Sequence, residues 1–134
     1  MKFINLTDYP FHYKLQTRWK DMDAFGHVNN AVFLTYIEDA RITFFRRWKL
    51  DSRDKGLIVA SAKIDFLHQL THPSKLVIGQ RISRIGGKSF DIESVIFNND
   101  GMLHIASSVI ICVCFDYKKN QSVTVYPEII KDYK

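Results

Sequence analysis

The sequence predicts an α+β fold in which one sheet grips one long helix. Three observations predict it. Helical periodicity is strong in one place only, over 30–48. The strand-like segments before and after it alternate with a period of two. Those segments follow one another across short turn signals, giving the order β-α-β-β-β-β.

The first strand is marked by Phe11, Tyr13, Leu15, Thr17 and Trp19, which alternate with mostly polar neighbours. A polar, turn-rich loop follows, Asp21-Met22-Asp23-Ala24-Phe25-Gly26-His27-Val28-Asn29-Asn30. The helix then carries an apolar stripe of Phe33, Tyr36, Ile37, Ala40, Phe44 and Trp48 at steps of three and four, which Leu34 and Phe45 widen on one shoulder. Thr35, Glu38, Asp39 and Arg46 take the opposite side, and Glu38 and Arg41 are spaced to pair along the helix. So wide a stripe suits a concave sheet rather than a flat one.

After a polar connector over 50–56, Ile58, Ala60, Ala62, Ile64 and Phe66 alternate with Val59, Ser61, Lys63, Asp65 and Leu67. Leu76, Ile78 and Ile82 mark the next strand, which ends at Gly86-Gly87. Phe90, Ile92 and Ile96 mark another, and Asn98-Asn99-Asp100-Gly101 is a hairpin-turn sequence. The last strand, 102–116, is apolar on both faces over 109–115 and is expected centrally in the sheet. Pro127 opens a C-terminal helical turn or two.

The length of 134 residues suits one domain, 1–134, with a real core. With 46% hydrophobic and 25% charged residues, the balance is that of an ordinary globular protein. The longest apolar run, 109–115, has strand rather than membrane-span dimensions. The opening residues lack an apolar core followed by a small-residue cleavage site, so a cytoplasmic location is expected. Cys112 and Cys114 point to one strand face and are poorly placed to bond each other, and His68, His72 and His104 lack metal-ligand spacing. Neither disulfide nor metal site is expected. The formal charge of +5 permits an anionic ligand. The basic residues are scattered and match no nucleic-acid motif, so a small phosphorylated ligand fits better. One helix cannot cover both sheet faces, so an oligomer is expected.

Function concentrates in the loop before the helix. Its end meets the positive helix terminus, where unpaired backbone N–H groups face outward. A carboxylate held there can act on a carbonyl whose oxygen those N–H groups polarise, which is acyl chemistry. Gly26 supplies a backbone conformation or close approach that a side chain would block. Asn29 and Asn30 are both N-cap types. Asp21 is read as fixing the loop.

The stretch Arg18-Trp19-x-Asp21-Met22-Asp23-x-x-Gly26-His27-Val28-Asn29-Asn30 is followed by Tyr36-x-Glu38-x-Ala40-Arg41, Ile64-Asp65-Phe66-Leu67 and Ile85-Gly86-Gly87-Lys88-Ser89-Phe90. With the element order, these resemble the hotdog-fold acyl-CoA thioesterases of the 4-hydroxybenzoyl-CoA thioesterase-like branch. The resemblance implies a long helix wrapped by an antiparallel sheet of five to six strands, with active sites between paired subunits. It implies hydrolysis of an acyl-CoA to free acid and coenzyme A by a homodimer or homotetramer, without metal or organic cofactor. By position it makes Asp23 the catalytic carboxylate, as nucleophile or general base, and the backbone N–H near Asn30 the carbonyl polariser. His27 is a candidate base, although a loop histidine is more often a hydrogen-bonding scaffold. Lys88 beside Ser89, with Arg84 as a companion, becomes a coenzyme A contact, and Phe25, Phe33 and Tyr36 border an acyl tunnel or pack in the core. Ala24 and Asn30 follow the fatty-acyl-like members rather than those acting on aromatic acids. Two other readings share the fold: a dehydratase acting on acyl thioesters, and a non-catalytic acyl-CoA or acyl-carrier-binding module.

Overall fold

The computed structural model describes residues 4–99 and 102–133. Strand β1 (Phe11–Gln16) ends before a 3-10 turn at Trp19–Asp21. Trp19, expected on the apolar face of that strand, therefore leaves the sheet and is 78% exposed. Helix α1 (Asn30–Phe45) continues as a 3-10 turn, Arg46–Trp48, and the left-handed Lys49 (φ 47°) stops it. The six stripe residues Phe33, Tyr36, Ile37, Ala40, Phe44 and Trp48 are buried, and each fully buried large apolar side chain contributes about 1.5–3 kcal/mol; on the shoulder Phe45 is half-buried and Leu34 is exposed. Arg41 is buried as well, on the flank of the stripe, with the Glu38 carboxylate 3.8 Å away. That distance is an ion pair without a hydrogen bond.

Four long antiparallel strands follow: β2 (Lys55–Phe66), β3 (Lys75–Ile85), β4 (Ser89–Asn98) and β5 (Leu103–Asp116). The sheet order is β1-β3-β4-β5-β2, and the two-residue strand β6 (Gln121–Ser122), which the sequence did not signal, pairs with β5. Strand β5 lies inside the sheet as expected, but between β4 and the edge strand β2 rather than at its centre. The hairpin turn expected at 98–101 includes residues 100 and 101, which lie outside the described residues. The sheet closes around α1: Phe90, Ile92 and Ile96 of β4, and Ile110, Cys112 and Cys114 of β5, join the helix stripe in one core. This is the hotdog fold.

Strand β2 departs from the expected alternation. A bulge at Ala60 interrupts its pairing with β5, where Val59 opposes Cys112 and Ser61 already opposes Ile111. Directly opposed residues share a face, so Val59 joins Ala62, Ile64 and Phe66 on the helix side, and Ile58 turns outward. Val59 and Phe66 are nevertheless exposed, because β2 is an edge strand that α1 only partly covers. The outer sheet face is partly covered from within the chain. Tyr9, with Ile4 and Leu6, packs on Val77, Val95 and Phe97, and the Tyr9 hydroxyl donates to Glu93 at 2.8 Å. Helix α2 (Pro127–Asp132) closes the far end, where Trp48 Nε1 donates to Asp132 at 2.7 Å.

Candidate active site

The loop between the first 3-10 turn and α1 is held by a buried carboxylate. Asp21, 2% exposed, takes two guanidinium N–H groups of Arg18 on Oδ1, at 2.9 and 3.1 Å. On Oδ2 it takes the Arg18 backbone N–H at 2.9 Å and the Tyr36 hydroxyl at 2.5 Å. Burial alone would push this carboxyl up. The Arg18 and Tyr36 hydrogen bonds outweigh burial and hold it below the ordinary carboxylate range. The Tyr36 phenol moves the opposite way, raised by burial and by the carboxylate it faces. The Asp21 carbonyl then accepts the Asn29 N–H at 2.9 Å, fastening the end of the loop to its beginning.

Asp23 sits at the turn of this loop, half-buried. Its Oδ1 accepts the backbone N–H of Phe25 at 2.8 Å and of His27 at 3.3 Å. Its own N–H donates to the His27 carbonyl at 2.7 Å. Gly26, at φ 85°, supplies the left-handed residue that folds the loop back. One carboxylate oxygen thus braces the turn, while among the described residues no group bonds the other.

Asn29 is the N-cap: its side-chain oxygen accepts the Ala31 N–H at 2.9 Å, and its carbonyl takes the Val32 N–H at 2.9 Å. Asn30 is the first helical residue. Its N–H is left without a partner among the described residues, at the end of α1 where the helix dipole is positive.

Asp23 and Asn30 both line a cavity of about 670 Å³, within the range of small-molecule sites. One wall is the loop and helix start, with Asp23, Phe25, His27, Asn30 and Phe33; the other is the segment 66–70 that leaves β2. The walls are tied together. The Val28 N–H donates to the Leu70 carbonyl at 2.7 Å, and the rings of Phe33 and Phe66 meet edge-on with centroids 5.5 Å apart. Sequence reasoning missed this second wall. Its signal was present in Ile64-Asp65-Phe66-Leu67, which marks the strand but not the side of the pocket it lines.

The remaining candidates lie elsewhere. Gly26 shapes the loop without lining the cavity. Tyr36, expected to border an acyl tunnel or to pack in the core, is packed in the core, and its hydroxyl donates to Asp21. Lys88 and Ser89 occupy the β3–β4 turn, where Arg84 binds both the Ser89 hydroxyl at 3.0 Å and Asp91 at 2.8 Å. Ser89 is seven residues along β4 from Ile96, which opposes Ala106 and, through it, Phe66. At about 3.3 Å per residue, roughly 23 Å of strand separates this turn from the pocket. A single subunit does not bring Lys88 to Asp23. Among the described residues, no group of three or more His, Cys, Asp or Glu side chains is placed to hold a metal ion, and no helix is long and apolar enough to cross a membrane.

Comparison with known proteins gives concordant matches. A family model described as the thioesterase-like superfamily matches residues 17–132. YsmA of Bacillus subtilis (strain 168) is 31% identical over 97 residues, which cover 71% of this chain and 66% of that one, just under two thirds of its length. The long-chain acyl-CoA thioesterase FadM of Escherichia coli (strain K12) is 23% identical over 121 residues, 87% of this chain and 91% of that one. A thioesterase from Thermus thermophilus, solved in complex with coenzyme A and Zn, superposes with a TM-score of 0.82 at 28% identity, covering 92% of this chain and 97% of that one.

Proposed function

The chain belongs to the thioesterase-like superfamily, and from that premise we propose that it is a cytoplasmic acyl-CoA thioesterase in which Asp23 acts on the thioester carbonyl. One observation carries this reading. Asp23 and Asn30 line one cavity at the positive end of α1, and among the described residues one Asp23 carboxylate oxygen and the Asn30 N–H have no partner. A thioester carbonyl oxygen seated on the Asn30 N–H gains a donor aimed at the charge that develops there. Asp23 then either attacks the carbonyl carbon or takes a proton from an attacking water. Its braced oxygen fixes the direction of the other. Phe25, 86% exposed at the mouth, and Phe33 within offer apolar surface to an acyl chain.

Strand β2 supports an oligomer. It is a twelve-residue edge with Ile58, Val59 and Phe66 exposed, a surface that pairs readily with another strand. Antiparallel pairing of two copies of β2 sets the start of one beside the end of the other. The partner's β3–β4 turn then comes to the same end as this subunit's pocket, three strand spacings away, roughly 14 Å. In that assembly Lys88 and Ser89 hold the phosphates of a coenzyme A whose thioester lies in the neighbouring pocket, the two-subunit site the family resemblance implies.

The test is thiol release from a panel of acyl-CoAs, followed with a thiol-reactive dye, alongside sedimentation at micromolar concentration. Hydrolysis by a dimer or larger assembly is expected, and Lys88→Ala is expected to raise KM several-fold with kcat little changed. Tight acyl-CoA binding without thiol release would establish the non-catalytic module instead. An active monomer would refute the two-subunit site.

A further inference from the structure

Beyond Asp23 and the helix start, the pocket holds a second imidazole, on the wall opposite Asp23. His68 is exposed and lines the cavity. Its backbone N–H donates to the Ile105 carbonyl at 3.2 Å, and its ring Nδ1 lies 2.9 Å from the His104 carbonyl oxygen. A carbonyl oxygen only accepts, so Nδ1 carries the hydrogen of this bond. The ring is thus fixed to β5 through Nδ1, and among the described residues nothing bonds Nε2. The support beneath it is itself held, since the His104 ring stacks on Phe97 with centroids 4.9 Å apart and its Nε2 lies 3.1 Å from the Ala106 carbonyl. The other titratable groups lining the cavity are Asp23 and His27, both from the facing loop.

From this placement we propose that His68 is the proton donor to the departing sulfur. The inference rests on the thioesterase reading above. With the carbonyl oxygen on Asn30 N–H and Asp23 on the loop wall, the acyl carbon lies between the two walls, and the carbon–sulfur bond breaks toward segment 66–70. As that bond breaks, its electron pair goes to sulfur. The His68 imidazolium gives its Nε2 proton to that sulfur, forming the thiol and leaving a neutral ring with Nδ1–H still on the His104 carbonyl. When water is the attacking group, one of its protons goes to Asp23 and the other stays on the carboxylic acid product. Both then pass to solvent, and His68 regains one proton from solvent. Each turnover consumes one thioester and one water and yields one acid and one thiol.

A general acid matters in proportion to the basicity of the leaving group, and that separates proton donation from mere support of the wall. The experiment compares His68→Gln with the wild type on two thioesters of one acyl group, one made with coenzyme A and one with a nitrothiophenol, whose thiolate leaves without a proton. On the acyl-CoA, kcat is expected to fall about a hundredfold. On the aryl thioester the loss is expected to be at least tenfold smaller. Asp23→Asn, run in parallel, is expected to lose activity on both. Equal losses of His68→Gln on the two thioesters would overturn the proposal, as would no loss on the acyl-CoA. Because His68 is exposed, circular dichroism and sedimentation of the variant are expected to match the wild type. A wild-type protein inert toward both thioesters would instead refute the thioesterase reading itself.

Discussion

Tyr36→Phe removes a single atom from the support of the active-site loop, and the size of its effect follows from the structure. The phenol donates to the buried, ionised Asp21 at 2.5 Å, while its ring packs in the core and is retained by phenylalanine. Hydrogen bonds to charged groups are worth about 1.5–3 kcal/mol. The oxygen that loses the phenol keeps the Arg18 backbone N–H at 2.9 Å, so it is not orphaned, and the expected loss lies in the lower half of that range, about 2 kcal/mol. The effect depends on pH in a definite direction. The Asp21 carboxyl is held below its ordinary 3.8, so its stabilisation is complete above that value and disappears as pH falls through the lower folded value. The gap between wild type and variant is therefore constant at neutral pH and shrinks in acid. The phenol, raised above its ordinary 10.0, keeps its proton throughout that range. Denaturant unfolding at one fixed protein concentration, repeated from neutral to acid pH, reads both features. A loss below about 0.5 kcal/mol at neutral pH, or a gap that acid leaves unchanged, would refute the assignment of Tyr36 and Asp21 as the loop clamp.

Two further outcomes are expected. Gly26→Ala places a methyl group in open space but forces a left-handed backbone at φ 85°, so thermal unfolding should show a loss of about 1–2 kcal/mol; an unchanged melting temperature would mean the loop does not need that conformation. Cys112 and Cys114 are buried, and burial raises both thiols, Cys112 to about 12, so a thiol reagent should leave the native protein unlabelled and react with both on unfolding. Rapid labelling of the native state would contradict the packing of β5 against α1.

The parts of the fold that were legible in the sequence are those where one physical requirement acts alone. The helix stripe from Phe33 to Trp48 answers only to burial, and it is buried throughout. Trp19 and strand β2 were misread because alternation reports a face and not its surroundings. The 3-10 turn at Trp19–Asp21 ends the strand by hydrogen bonding, and the bulge at Ala60 shifts the alternation by one residue without changing composition. At the site, the loop from Asp21 to Asn30 is a local structure, and its Gly26 and its N-cap Asn29 sit where their chemistry suggested. The wall at 66–70 is brought there by the Val28–Leu70 hydrogen bond, a contact across 42 residues that no local pattern encodes. Tyr36 belongs to the helix stripe by period and to Asp21 by its hydroxyl, and periodicity shows only the first.

The central claim is that the free oxygen of Asp23 performs the chemistry, and Asp23→Asn tests it most directly. The amide oxygen can still accept the N–H groups of Phe25 and His27, so the turn survives while the free position loses both nucleophilicity and basicity. Steady-state thiol release from acyl-CoA is predicted to fall at least about a hundredfold in a variant whose fold and assembly match the wild type. Turnover within a few-fold of the wild type in that folded variant would contradict the account, leaving Asp23 as the brace of a turn and nothing more.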